Sequence, residues 1–194
     1  LWVLEQYGKL LTFPNDEAVT RTDVAIDLKK DLRGLDRVPD CKGLAETYAL
    51  AFHPKFAENR HVFVMYVLAH KQRNQNLPKG SRISRFSVTK TDPPRLDPDS
   101  EAILVEWLGG GHNGCDLQFG PDGFLYVSTG DGAGPSPPDQ LRTGQDCSDL
   151  LSCILRIDVD RVDPGLAYAA PKDNPFTGLP GVRPEIWAFG FRNP

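Results

Sequence analysis

The sequence predicts an all-β protein, a partial β-propeller of four-stranded antiparallel blades with roughly two to three blades in the chain. Three observations predict it. Gly and Pro number 18 and 17, and Pro is disfavoured inside helices and central strands, so the chain must turn often and its strands should be short. Two separate motifs each occur twice at nearly one spacing. Each repeat carries four strand-like runs, the content of one propeller blade.

The elements follow in order. Residues 1–5, 9–13 and 24–28 read as the late strands of a first blade, ending near residue 30. A second blade occupies about 31–108 and a third about 109–194, all within one domain. Leu50-Ala51-Phe52-His53-Pro54 returns 67 residues later as Leu117-Gln118-Phe119-Gly120-Pro121. Ile83-Ser84-Arg85-Phe86-Ser87-Val88 returns 71 residues later as Ile154-Leu155-Arg156-Ile157-Asp158-Val159. The first motif supplies the first strand of each unit, and an aromatic-rich second strand follows it at 62–67 and 124–127. The second motif is the third strand, where 84–88 and 156–159 roughly alternate as half-buried strands do. Fourth strands at 102–108 and 185–191 each carry a tryptophan, Trp107 and Trp187. The unit is longer than the ~40–50 residues of common propeller repeats, so the excess belongs in loops at 71–79, 132–145 and 169–182. Leu150, Leu151 and Ile154 fall near helical spacing over 148–153, too briefly to make an element.

A formal charge of −4 argues against a nucleic-acid surface, which carries a basic stripe. The longest apolar run, 62–69, is far shorter than the ~20 residues of a membrane-spanning helix. Leu1 opens directly into strand-like sequence with no signal-peptide pattern, so the numbering reads as starting inside a longer chain. Cys41, Cys115, Cys147 and Cys153 form no CxxC pair, no haem-attachment signature and no zinc spacing. Their even number allows disulfides or free buried thiols, and the compartment stays open on this evidence.

Three rim segments are candidates for chemistry. In Gly109-Gly110-Gly111-His112-Asn113-Gly114, the glycines permit tight turning and close approach of a ligand and expose the imidazole of His112, which can act as a base near neutral pH. The same pattern also describes a Gly-rich turn with a solvated histidine. Asp131, in Ser128-Thr129-Gly130-Asp131-Gly132, is placed to orient an imidazole if adjacent strands bring the two loops to one rim; it also reads as an ordinary Asp-Gly turn. Arg192, in Gly190-Phe191-Arg192-Asn193-Pro194, offers a planar fork for carboxylates, or is an exposed arginine at a strand end. Asp158, Asp160 and Asp163 lack the glycine of a calcium loop and read as strand-end solvation.

These residues carry a resemblance. Gly111-His112-Asn113-Gly114, Phe119-Gly120-Pro121-Asp122-Gly123 and Thr129-Gly130-Asp131-Gly132, in this order, resemble the soluble quinoprotein glucose/sorbosone dehydrogenase family. Leu50 to Pro54, Ile154 to Asp158, Asp173-Asn174-Pro175-Phe176 and Arg192-Asn193-Pro194 fit it too, so the match covers about 44–194. The resemblance implies a six-bladed propeller that binds pyrroloquinoline quinone (PQQ) and Ca²⁺ and oxidises the C1 hydroxyl of a sugar, an aldose or a sorbosone-like compound. It implies that His112 is the base, that Asp131 is the acidic residue beside it, and that Arg192 and Asn193 touch the quinone. It also implies Ca²⁺ ligands outside this segment, a separate electron acceptor such as a cytochrome or quinone, and a periplasmic or secreted location. Leu44 stands where glucose-oxidising relatives carry a quinone-contacting amide, with Glu46 nearby but out of register. Gly111 replaces the acidic neighbour of the histidine, and Cys115 replaces a glycine. These departures put glucose itself in question as substrate. Two other functions fit the same fold: a non-catalytic binding propeller, as in hedgehog-interacting relatives, and a calcium-dependent lactonase-like hydrolase. The joint presence of His112, Asp131 and Arg192 favours the redox reading.

Overall fold

The run from Val62 to Leu68 has no charged residue, whereas a strand with water on one face alternates. The computed structural model describes residues 1–72 and 75–194, and in it this strand is buried on both faces. Three antiparallel sheets follow one another along the chain. The first holds β1 (Trp2–Leu4), β2 (Lys9–Thr12) and β3 (Asp23–Asp27). A short helix, α1 (Leu28–Asp31), and a single 3-10 turn (Leu35–Arg37) lead to the second sheet. That sheet holds β4 (Cys41–Phe52), β5 (His61–His70), β6 (Leu77–Thr91) and β7 (Pro94–Gly109), with one helical turn, α2 (Phe56–Asn59), between β4 and β5. The third holds β8 (Leu117–Phe119), β9 (Leu125–Ser128), β10 (Cys153–Ile157) and β11 (Ile186–Phe189). Both four-stranded sheets are meanders in chain order, the topology of a propeller blade. The chain is therefore an all-β, partial propeller, as its repeats predict.

The side chains of β5 divide between two cores with the strand period of two. Phe63, Met65 and Val67 pack with Leu125, Val127, Leu155 and Ile157 of the third sheet. Val62 and Val64 pack with Leu10 and Ile26 of the first sheet and Phe86 and Val88 of their own. Tyr66 and Leu68 extend that side against Leu77. Each such side chain taken fully out of water contributes about 1.5–3 kcal/mol, so β5 is the wall against which both neighbours are held.

The expected strands form, with three differences. The strands of the second sheet are long, 12, 10, 15 and 16 residues. They hold Pro and Gly in their interiors because the pairing slips there: the β6–β7 register shifts between Leu77 and Ser81, around Pro78 and Gly80, and again between Arg85 and Ser87, opposite Pro98. Bulges are where a strand tolerates such residues. Accordingly β6 starts inside the expected 71–79 loop, of which residues 73–74 lie outside the described residues, and β7 starts well before 102 because it continues β6 as a hairpin. The two tryptophans of the fourth strands also differ. Trp107 is buried in the inter-sheet core, whereas Trp187 is 40% exposed on the opposite face of the third sheet.

Beside Trp187, Arg156 occupies a position that the alternation of β10 turns away from the core. It is buried, and its guanidinium lies over the rings of Phe124 and Trp187, 4.5 and 4.9 Å from their centroids. It donates to Asp122 Oδ2 at 3.0 Å, Asp173 Oδ1 at 2.9 Å and Asn174 Oδ1 at 3.0 Å. One cation thereby ties the turn before β9, strand β10 and the long loop before β11. Loss of a buried ion pair costs about 3–5 kcal/mol. Asp173 is largely exposed and regains water when abandoned, so Arg156→Met is expected to lower stability by about 2–3 kcal/mol, measured by urea titration. An unchanged midpoint would contradict this role.

Glu185 is buried at the entry to β11 and accepts hydrogen bonds from Tyr168 and, at 2.6 Å, from Arg183. Burial alone raises its carboxyl, but the bonds from Arg183 and Tyr168 outweigh burial and hold it below its ordinary value. The unfolded chain therefore takes up this proton first. The stabilisation is fully present above the unfolded value near 4.5 and is lost as pH falls through the lower folded value. Stability measured from pH 6 down to pH 3 should fall, and Glu185→Gln should flatten that slope while lowering stability at pH 7 by about 1.5–3 kcal/mol. A slope identical in the two proteins would show that Glu185 is not one of the groups responsible.

Candidate active site

Three loop segments meet at one rim of the second and third sheets. Residues 110–116 run from β7 to β8, residues 129–152 from β9 to β10, and residues 190–194 follow β11. The first two are joined by backbone bonds resembling a short ladder: Gly111 N–H to Gly132 O at 3.0 Å, His112 N–H to Ala133 O at 2.8 Å, Gly132 N–H to His112 O at 2.9 Å and Gly130 N–H to Asn113 O at 3.0 Å. The third segment closes on them from another side. Asp131 N–H donates to Arg192 O at 2.9 Å, and Gly114 N–H donates to Asn193 Oδ1 at 3.0 Å.

The glycines serve this ladder. A Cβ at Gly111 would stand 2.1 Å from Ala133 O, and one at Gly130 would stand 2.3 Å from His112 O. Their expected role as openings for a ligand gives way to close approach of backbone to backbone. His112 is likewise less exposed than the Gly-rich context suggests, its side chain keeping 15% of its surface, because the Asp131 segment covers it.

The ladder sets the side chains. His112 Nδ1 lies 2.9 Å from Asp131 Oδ1, which also accepts the Ala133 N–H at 2.9 Å. A carboxylate only accepts, so Nδ1 carries the shared hydrogen and Nε2 of the neutral ring keeps its lone pair. Asp131 is buried, and its Oδ2 has no hydrogen-bond partner among the described residues. Its carbonyl accepts from Thr143 Oγ1 at 3.1 Å, and that hydroxyl also meets Ser152 Oγ at 3.0 Å. Arg192 is exposed and donates to Pro135 O at 3.1 Å. His112, Asp131, Arg192 and Asn193 are thus brought together from three distant stretches of sequence.

Asn113, Thr143 and Tyr48 belong to the same neighbourhood, although no motif in the sequence singles them out. Asn113 is buried; its Oδ1 accepts the Gly110 N–H at 3.0 Å, and its Nδ2 donates to Gly110 O at 3.1 Å and Tyr48 Oη at 3.3 Å. An amide between glycines in a tight loop is the available signal for such a clamp. Two of the three aspartates after β10 hold turns: Asp158 Oδ1 accepts the Asp160 N–H and Asp163 Oδ2 accepts the Ala170 N–H, each at 2.9 Å, while Asp160 Oδ1 lies 3.1 Å from His53 Nε2. The four cysteines are free thiols. Burial pushes the Cys153 thiol up to about 12 and raises Cys115 as well, so neither is a nucleophile at neutral pH.

Because Gly111 abuts a backbone carbonyl, Gly111→Ala must displace the Ala133 segment. The expected loss is roughly 1–3 kcal/mol, together with loss of the hydrogen-bonded His112 Nδ1–H signal in proton NMR. A variant that keeps both stability and that signal would show that the two segments are not in contact.

The sequence model of the family described as Glucose / Sorbosone dehydrogenase matches residues 2–194. Hedgehog-interacting protein of Mus musculus is 30% identical over 200 residues, covering 100% of this chain and 27% of its own length. Quinoprotein glucose dehydrogenase B of Acinetobacter calcoaceticus is 27% identical over 214 residues, covering 100% of this chain and 40% of its own. The PQQ-bound aldose sugar dehydrogenase of Streptomyces coelicolor superposes with a TM-score of 0.66 at 21% identity, over 99% of this chain and 47% of that one, which shows the shared fold. The chain thus spans about a quarter of the first relative's length and less than half of the others'. With the family's sequence pattern running through all three sheets and the rim, the chain belongs to the glucose/sorbosone dehydrogenase family.

Proposed function

We propose that the full-length protein is an oxidoreductase that oxidises the C1 hydroxyl of a sugar, an aldose or a sorbosone-like compound, with PQQ as hydride acceptor. The observation that carries this reading is the bond between His112 Nδ1 and Asp131 Oδ1 on a rim where Arg192 and Asn193 are tied by hydrogen bonds to the same two segments. The three sheets are read as successive parts of one domain, with blade boundaries near residues 30 and 108.

The residues present fit such a cofactor. Arg192 is exposed beside the His112–Asp131 pair, and its guanidinium suits the carboxylates and quinone oxygens of an anionic, planar ligand. Asn193 commits Oδ1 to the Gly114 N–H and retains Nδ2 as a donor. When bound, PQQ supplies the two-electron acceptor that no amino-acid side chain provides. The chain's residues do the remainder. His112 Nε2 takes the proton of the sugar hydroxyl, Asp131 fixes the ring and stabilises the imidazolium that results, and the cover that the Asp131 segment gives His112, whose side chain keeps 15% of its surface, limits competing water. Among the described residues no three His, Cys, Asp or Glu side chains gather as a metal site, and the Ca²⁺ ligands are assigned to residues outside them. A separate acceptor, a cytochrome or quinone, would carry the electrons away. Among the described residues no helix is long and apolar enough to cross a membrane, and the reading places the protein in the periplasm or outside the cell.

A second reading is a non-catalytic binding propeller. It is favoured by the similarity of the whole chain to Hedgehog-interacting protein and by Leu44 and Gly111, where glucose-oxidising relatives carry polar groups. Measurements on the full-length protein separate the two. His112→Ala should lower kcat by about 10²–10⁴-fold with PQQ affinity nearly unchanged, and Arg192→Ala should weaken PQQ binding first. Failure of the wild-type protein to bind PQQ in an absorbance titration would favour the binding module, and wild-type turnover in His112→Ala would remove the histidine from the mechanism.

A further inference from the structure

A cavity of about 910 Å³ opens beside the rim, between β4 and β5 on one side and residues 132–136 on the other. His112 does not line it, but its neighbours Gly111 and Asn113 do. The volume is at the upper end of ligand sites, roughly 300–1,000 Å³, and leaves room for more than one sugar ring. Two side chains of β4, Glu46 and Tyr48, form its acidic and phenolic wall.

These two are placed by irregularities in β4. Its register against β5 shifts between Leu44 and Glu46 and again between Thr47 and Ala49, so Ala45 and Tyr48 are the extra residues of two bulges. Bulges re-aim side chains and gather next to functional sites. Here Tyr48 Oη donates to Glu46 Oε2 at 2.7 Å and accepts from Asn113 Nδ2 at 3.3 Å. Asn113 is the buried clamp of the loop that carries His112, so hydrogen bonds run from Glu46 through Tyr48 to the residue next to the candidate base in the chain.

Tyr48 has committed its proton to Glu46, and burial, with Glu46 beside it, pushes the phenol up to about 12. The pair therefore offers acceptors: the remaining lone pairs of the Glu46 carboxylate and one of Tyr48 Oη. Adjacent hydroxyls of a sugar are the matching donors, and Tyr48, a residue 38% exposed, can offer its ring as an amphipathic face for the sugar's C–H surface. A carboxylate on the ligand would meet Glu46 as a like charge.

We propose that Glu46 and Tyr48 bind neighbouring hydroxyls of a neutral saccharide in this cavity and position it against the His112 loop. The proposal rests on the sugar-dehydrogenase reading for the reaction, but not for the binding. Its test is calorimetric binding of maltose, glucose and gluconate to the full-length protein, with turnover of the same sugars where it occurs. Glu46→Gln and Tyr48→Phe should each weaken maltose or glucose binding about tenfold or more. They should raise KM in parallel and leave kcat much less affected, because the lost contacts serve binding. Gluconate should bind the wild type more weakly than glucose, and Glu46→Gln should narrow that gap. Both side chains are partly exposed, and unchanged melting curves establish that the variants fold. Unaltered affinity in both variants, gluconate bound as tightly as glucose, or no binding of either neutral sugar would overturn the proposal. Sugar binding that depends on Glu46 and Tyr48 in a protein with no quinone-dependent oxidation would uphold the subsite and sink the redox reading. Oxidation that is indifferent to both variants would do the opposite.

Discussion

The burial of β5 on both faces is the constraint on which the rest depends. A strand that alternates Val62 and Val64 to one side with Phe63, Met65 and Val67 to the other cannot be satisfied by one partner. It requires a sheet on each side, at the spacing of about 10 Å that stacked sheets adopt. That spacing brings the ends of adjacent sheets within reach of one another. The ladder between residues 111–113 and 130–133 is a consequence of it, and the geometry of His112 and Asp131 is a consequence of the ladder.

Polar groups inside this frame are treated in two ways. Arg156 and Glu185 are buried with several partners each, as buried charge requires, and they stitch loops to strands. Asp131 is as buried as they are, yet one of its oxygens has no partner among the described residues. An unsatisfied buried acceptor costs about 1–3 kcal/mol. This free oxygen beside an imidazole sets Asp131 apart from the carboxylate of Glu185, whose two oxygens are both held by Arg183.

Much of the fold was legible because the repeat is written in residues that packing uses. Leu50 to Phe52 and Leu117 to Phe119 are the ends of first strands, and Ile83 to Val88 and Ile154 to Ile157 are third strands. Strand length was not legible, since Pro78 and Pro98 read as breaks when they are bulges within β6 and β7. The convergence of His112 and Asp131 could be anticipated from adjacent strands of one blade. The true work of Gly111 and Gly130 could not, because it depends on how closely two backbones pass. Tyr48 and Asn113 were missed for a related reason: their bond links residues 65 apart, and only the bulge at Tyr48 brings the phenol to the rim.

The bonds that bind Gly114 to Asn193 and Asp131 to Arg192 span 79 and 61 residues of chain. Closing such loops costs conformational entropy that local hairpins such as β6–β7 do not incur to the same degree. The hairpins of the second sheet can form from residues already close in sequence, whereas the rim gathers its third segment only when β11 has joined the third sheet. On a chain emerging from the ribosome, the His112 loop is made some 80 residues before the segment that completes its surroundings. Within residues 1–194 the site is thus completed after the second sheet, and a chain halted before Arg192 would carry the His112–Asp131 pair without the bonds from Arg192 O and Asn193 Oδ1 that close its third side.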